Sequence, residues 1–195
     1  MALGLRSARQ WGAMPFLAFL LALAAAPAAW ALKAELGPFI GTYVGTAQVF
    51  GEDGEVEGER DMTIQIEEGP KDGFVITWVN VSLVDGRRDV PGVERRVATA
   101  TFVPADRDGV YIEEMRGSLF ERRHLADPLE GEPMRWARVD GDRLGVFSFG
   151  ILEDGRYGLQ SYERILTEVG LDIEFRAVLD GQVVRTITGH TVRVE

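Results

Sequence analysis

The sequence contains no cysteine. That single absence removes disulfide frameworks, thiol nucleophiles, cysteine-ligated zinc, iron–sulfur clusters and lipid attachment through a lipobox. Histidine is nearly as scarce, with only His124 and His190 available as acid/base groups or haem ligands. Basic charge is also short: 21 Lys and Arg face 31 Asp and Glu, a formal net charge of -10, which disfavours nucleic-acid binding through a basic face. Lysine contributes two of those bases and arginine 19, a compositional bias that lowers the functional weight of any one arginine. No Gly-x-Ser-x-Gly elbow, Walker loop or dinucleotide fingerprint is present, and Ser118 and Ser148 lack a nucleophile's context. No catalytic residue is assigned on these grounds, and an enzyme is not the expectation.

Long hydrophobic runs are confined to the start of the chain. Arg6 and Arg9 precede an apolar stretch from Pro15 that becomes alanine-rich and ends at Ala29-Trp30-Ala31. A charged start, an apolar middle and small residues at the end are the order of a secretory signal peptide, so residues 1–31 are expected to be removed before Leu32. Retention of the segment as a membrane anchor is the alternative, opposed by Pro15 and Pro27. Residues 32–195 then form one exported domain, periplasmic or secreted, with no stable membrane insertion after cleavage. It carries 19 basic and 31 acidic residues. With no cysteine its core must hold without cross-links, which a chain of this length can do.

What remains is strand-like almost throughout. Runs rich in Val, Ile, Thr, Phe and Tyr alternate with Gly and Asp, and no sustained helical period appears. The pattern predicts about ten strands: Thr42 to Phe50, Glu55 to Glu67, Phe74 to Val81, Glu94 to Val103, Val110 to Met115, Met134 to Val139, Arg143 to Leu152, Arg156 to Leu166, Leu171 to Leu179 and Gln182 to Val194. Asp-Gly steps such as Asp154-Gly155 and Asp180-Gly181 supply tight hairpin connections. Consecutive hairpins predict an all-β, antiparallel up-and-down sheet that closes into a barrel to remove its edges.

Two strands can be assigned faces. In the second, Glu55, Glu57, Glu59, Asp61, Thr63, Gln65 and Glu67 alternate with Val56, Gly58, Arg60, Met62, Ile64 and Ile66, a solvent face and an interior face. In the last hairpin the two-residue turn sets Leu179 opposite Gln182, which puts Val184, Thr186, Thr188 and His190 on the interior with Ala177, Phe175, Ile173 and Leu171. The strand from Arg156 to Leu166 stays ambiguous. A four-residue loop at Thr167 to Gly170 turns Gln160, Tyr162 and Arg164 inward, whereas a three-residue loop with a bulge turns Leu159, Ser161, Glu163 and Ile165 inward. Arg116 to Pro133 interrupts the meander as a long charged connection of the kind that forms a rim or lid.

Gly41-Thr42-Tyr43-Val44-Gly45 opening the first strand, ahead of this meander, resembles the lipocalin and fatty-acid-binding-protein superfamily of calycin barrels. The lipocalin opening is Gly-x-Trp, and Tyr43 stands in the aromatic position. The resemblance covers the domain in topology and only these residues in motif. It implies a cup-shaped barrel that binds an apolar or amphipathic small molecule. Some fatty-acid-binding members hold a carboxylate through Arg-x-Tyr; here the order is reversed, Tyr162-Glu163-Arg164, so that role is not carried over.

The candidate ligand-binding residues are Arg60, Trp78, Trp136, Tyr162, Arg164, Phe175 and His190: aromatic side chains to line or close a lumen, cations for an anionic group, and one wall histidine. Snorkelling to the barrel mouth is the other reading of Arg60. No cofactor is expected: one strand histidine is more often a wall residue than a haem ligand, and two histidines are too few for catalytic zinc. The six acids between Glu52 and Asp61 lie along one face and do not converge as a calcium loop would. The leading expectation is an exported lipocalin-like barrel that binds a small apolar or amphipathic, lipid-like ligand. Its rivals are a packed barrel serving as an envelope protein-interaction or assembly module and, more distantly, a small barrel enzyme with His124 as base.

Overall fold

The computed structural model describes residues 35–114 and 126–194. The signal-peptide segment, His124 and most of the Arg116 to Pro133 connection lie outside them. Ten strands follow one another: β1 (Gly41–Phe50), β2 (Val56–Glu68), β3 (Phe74–Ser82), β4 (Arg95–Pro104), β5 (Val110–Glu113), β6 (Met134–Asp140), β7 (Arg143–Ile151), β8 (Tyr157–Leu166), β9 (Gly170–Leu179) and β10 (Gln182–Arg193). Each pairs antiparallel with the next, and β1 pairs with β10, so the meander closes into an up-and-down barrel as the alternation predicts. Asp180 and Gly181 both take positive φ, 49° and 84°, as the tight turn between β9 and β10 requires.

The two ends of the barrel differ. At one end, which contains the β2–β3, β4–β5, β6–β7 and β8–β9 connections, the lumen is packed solid by Tyr43, Ile66, Phe74, Ile76, Phe102, Tyr111, Leu144 and Leu171. Leu36 and Phe39, just before β1, are buried against that core. The seal is held by polar contacts as well. The Tyr43 hydroxyl donates to the Phe39 carbonyl at 2.9 Å, and the Arg193 guanidinium, stacked 5.1 Å over the Tyr43 ring, donates to Tyr43 Oη and to the Pro38 carbonyl. Arg193→Ala is expected to lower stability by about 1–2 kcal/mol through loss of these contacts, read as a thermal-melt shift of about 5 °C. An unchanged melt would mean that apolar packing alone holds the seal.

The ladder settles the ambiguous strand. Leu166 pairs with Leu171, so the connection is the four-residue one, and Tyr162 and Arg164 face inward. The last hairpin departs from the sequence expectation. Val183 pairs with Val178, but Arg185 pairs with Ala177, leaving Val184 as an extra residue in a β-bulge. Beyond the bulge every side chain changes face: Arg185, Ile187, Gly189 and Thr191 point inward, and Thr186, Thr188 and His190 point outward. His190 is therefore an outer-wall residue, its side chain 85% exposed, with Nδ1 2.7 Å from Asp172 Oδ1. Because Arg185 already pairs in register, deleting Val184 is expected to preserve the fold at a cost within about 1 kcal/mol, with His190 still open to imidazole-modifying reagent. Loss of cooperative melting would show instead that the bulge supplies twist that closure needs.

Candidate ligand-binding site

The packed core stops partway along the lumen. Trp78, Tyr162 and Ala177 are only partly buried, and Gln160, although it faces inward, is exposed. An open bowl of about 680 Å³ lies at this end, lined by Glu52, Asp53, Glu57, Gln160, Phe175, Ala177, Val184 and Arg185. Phe175 brings an aromatic ring to its lining, and two further rings cluster with it. Phe175 lies 4.2 Å from Tyr162, ring centre to ring centre, and Tyr162 lies 6.3 Å from Trp78. These three side chains come from β9, β8 and β3, strands that are not all neighbours, so only closure of the barrel brings the rings together.

Two arginines act electrostatically on Tyr162. Arg60 is half-buried on the inward face of β2, and its pKa is lowered mainly by burial, with the nearby Tyr162 acting in the opposite sense. Arg164 is buried, 3% exposed, and burial lowers its pKa to about 10, so its guanidinium stays charged at neutral pH. Burial raises the Tyr162 hydroxyl's pKa, against the pull of Arg164 and Arg60. At the rim, Arg185 approaches Glu57 at 3.7 Å.

Trp136 is not part of this site. On β6 the inward residues are Ala137 and Val139, both buried, and Trp136 points outward, where it stacks on Phe147 of β7 at 5.4 Å. From Met134 to Val139 its strand is apolar or arginine on either face, so alternation alone could not assign it. Arg185 is a bowl residue that the sequence reading left on the outer face, whereas Val184 was expected inside. Arg185 was hidden by the bulge, for which the sequence carries no local sign.

A second hollow, of about 640 Å³, lies between β4 and β6 where β5 stops short, lined by residues including Thr99, Thr101, Glu113, Pro133 and Arg135. There Arg135 already donates to both carboxylate oxygens of Glu113, at 3.0 and 3.3 Å, so its charge is internally met. No group of three His, Cys, Asp or Glu side chains that could hold a metal ion occurs among the described residues.

A closed ten-strand meander, packed at one end and open at the other, is an antiparallel up-and-down β-barrel. The chain is similar to a protein of unknown function from the DUF3598 family of Nostoc punctiforme, with a TM-score of 0.52 and 12% identity over 82% of this chain and 49% of that one. This chain thus spans about half the length of that protein. Weaker similarity extends to an S-type phycobiliprotein lyase from Guillardia theta, with a TM-score of 0.38 and 9% identity over 84% of this chain and 93% of the lyase. It extends also to a protein with a YmcC-like fold from Bacteroides fragilis, with a TM-score of 0.28 and 9% identity over 77% and 94% of the two chains. The first likeness is one of fold alone, and the other two carry no argument. No protein-family model matches the chain, and no curated protein matches its sequence.

Proposed function

We propose that the chain is an exported, non-enzymatic lipocalin-like barrel that binds a small apolar or amphipathic molecule in the bowl at its open end. The observation that carries this reading is the open bowl itself, with Phe175, Ala177 and Val184 in its lining and Tyr162 and Trp78 clustered with Phe175. A volume of about 680 Å³ is within the range of small-molecule sites, and Phe175, Ala177 and Val184 share the lining with Gln160, Arg185 and the acids Glu52, Asp53 and Glu57, a mixed surface suited to an amphipathic molecule. An interior designed only for stability would carry aliphatic side chains to the rim and leave Gln160 no opening to face.

The test uses Trp78 itself. Trp11→Phe, Trp30→Phe and Trp136→Phe leave Trp78 as the sole tryptophan. Titration of this protein, produced through the export route, with lipid-like amphiphiles is expected to shift and saturate the Trp78 emission, and Phe175→Ala is expected to weaken binding about tenfold. An emission unmoved by fatty acids, fatty alcohols and solvent extracts of the producing cells would overturn the proposal.

One observation favours the rival reading of an envelope interaction module. The outer faces of β5 to β8 carry Trp136 stacked on Phe147 and Phe149 stacked on Tyr157, with Ile112 and Met134 exposed beside them. Contiguous apolar surface of this kind marks contact sites. Under that reading Phe149→Glu abolishes partner capture and leaves Trp78 emission unchanged.

A further inference from the structure

Independently of what the bowl holds, we infer that the outer wall of β5 to β9 is the interface of a two-fold homodimer, with β7 on the symmetry axis. The ladder lays the outward side chains of this wall in rows. One row runs Ile112, Trp136, Phe147, Ser161 and Arg176, and the next, nearer the open end, runs Met134, Phe149, Leu159 and Val178. Tyr157 carries the apolar surface on toward the rim, 6.3 Å from Phe149. Ile112, Met134 and Tyr157 are 41%, 46% and 42% exposed, and the rings of Trp136, Phe147 and Phe149 are only half-buried. Five strands about 4.8 Å apart make this patch about 20 Å wide, the mark of a contact surface and not of scattered single residues.

The row on the packed-end side of these two identifies the occupant by its charge. It runs Arg138, Gly145, Glu163 and Glu174: basic on β6, acidic on β8 and β9, with a glycine between them on β7. A two-fold axis along β7 turns β6 onto the partner's β8, so Arg138 faces the partner's Glu163 and the reciprocal contact repeats it. Arg138 is exposed and already holds Asp140 at 2.6 Å, and a guanidinium has donors enough for a second carboxylate. The same rotation lays Met134 on the partner's Leu159 and sets Phe147 and Phe149 each against its own copy. Gly145 lets the Phe147 ring lean toward Glu163, for an added Cβ would stand 2.7 Å from Phe147 Cζ and 3.0 Å from Glu163 Oε2. At the margin the two copies of Arg143 meet with the Asp140 side chains beside them, which offsets their charge. Because the axis runs along the strands, both bowls open toward the same side of the dimer. Their lining lies on the inward faces of β8 and β9, on β10 and on the β1–β2 connection, clear of the interface.

The test is sedimentation velocity on the protein produced through the export route. Wild type is expected to run as a dimer at about 10 μM. Phe149→Glu, and Arg138→Glu, which sets like charges face to face, are each expected to weaken association about a hundredfold. Arg138→Glu combined with Glu163→Arg returns opposite charges to the same contact and is expected to restore the dimer. A second readout uses the absence of cysteine: Phe149→Cys is expected to give a disulfide-linked dimer on mild oxidation, whereas Thr188→Cys, exposed on the opposite wall, is not. A wild type that stays monomeric at about 100 μM would overturn the inference. Acrylamide quenching of Trp136, with the other tryptophans changed to Phe, would then assign the wall to residues 115–125 of the same chain if shielded and to a different protein if open. A dimer that survives Phe149→Glu and Arg138→Glu, or one that Thr188→Cys links as readily as Phe149→Cys, would place the interface elsewhere and overturn it equally.

Discussion

Gly45→Ala is expected to destabilise the barrel by about 3 kcal/mol or more, a fall of about 10 °C in the melting temperature. Gly45 lies in β1 opposite Thr191, on the ladder that joins the first strand to the last. A Cβ built there would be 1.9 Å from the His190 carbonyl oxygen and 2.7 Å from Thr191 Cα, so backbone, not a flexible side-chain tip, must give way. The position is sensitive because the β1–β10 ladder turns a ten-strand sheet into a barrel, and losing it exposes two edges with unpaired N–H and C=O groups. Gly58→Ala in β2 is the control. A Cβ there meets nothing within 4 Å, and its melt is expected to stay within about 2 °C of wild type. Equal melting of the two variants would show that the seam relaxes freely, contrary to close packing of the two backbones.

Phe74→Ala is expected to cost about 4 kcal/mol, the second large effect. Phe74 is fully buried, stacked on Phe102 at 5.0 Å and edge-on to Tyr111 at 5.3 Å, at the packed end of the lumen. Truncation leaves a cavity that closed strands on every side cannot collapse, so both the transfer free energy and the cavity cost apply. The neighbouring Tyr111 hydroxyl is buried with no hydrogen-bond partner among the described residues, and burial raises its pKa. Phe149→Ala on the outer wall removes a side chain of the same size from a half-exposed position and is expected to cost about 1 kcal/mol. Chemical denaturation of both variants measures the difference. A Phe74→Ala cost as small as that of Phe149→Ala would mean the packed end is loose enough to rearrange.

The ten strands, their hairpin order and the two faces of β2 were legible because each depends on near neighbours in the chain. Met62, Ile64 and Ile66 are buried while Gln65 and Glu67 are exposed, as alternation alone requires. The inward face of β8 was one of two readings, and the pairing of Leu166 with Leu171 selected between them. His190 and Trp136 were misplaced for different physical reasons. A single extra residue at Val184 reverses all that follows it in β10, and nothing in Val183-Val184-Arg185 announces which residue will stand out of the ladder. In β6, Met134, Trp136 and Arg138 are no less plausible as an inward set than Arg135, Ala137 and Val139, so the choice fell to packing against β5 and β7.

The candidate site shows the same division. Tyr162 and Arg164 share a face because they are two residues apart in a strand, and that much is local. That Trp78 and Phe175 meet Tyr162, and that Arg164 is enclosed between Leu144 and Ile173, depends on β3, β7, β8 and β9 curling around one lumen. Local alternation, turn chemistry and composition by themselves determined an all-β meander, because a period of two and a positive φ are properties of adjacent residues. Closure, the bulged register, the aromatic cluster and the burial of Arg164 were decided only by the tertiary structure, because each depends on which strands pack together and in what register, not on the order of adjacent residues.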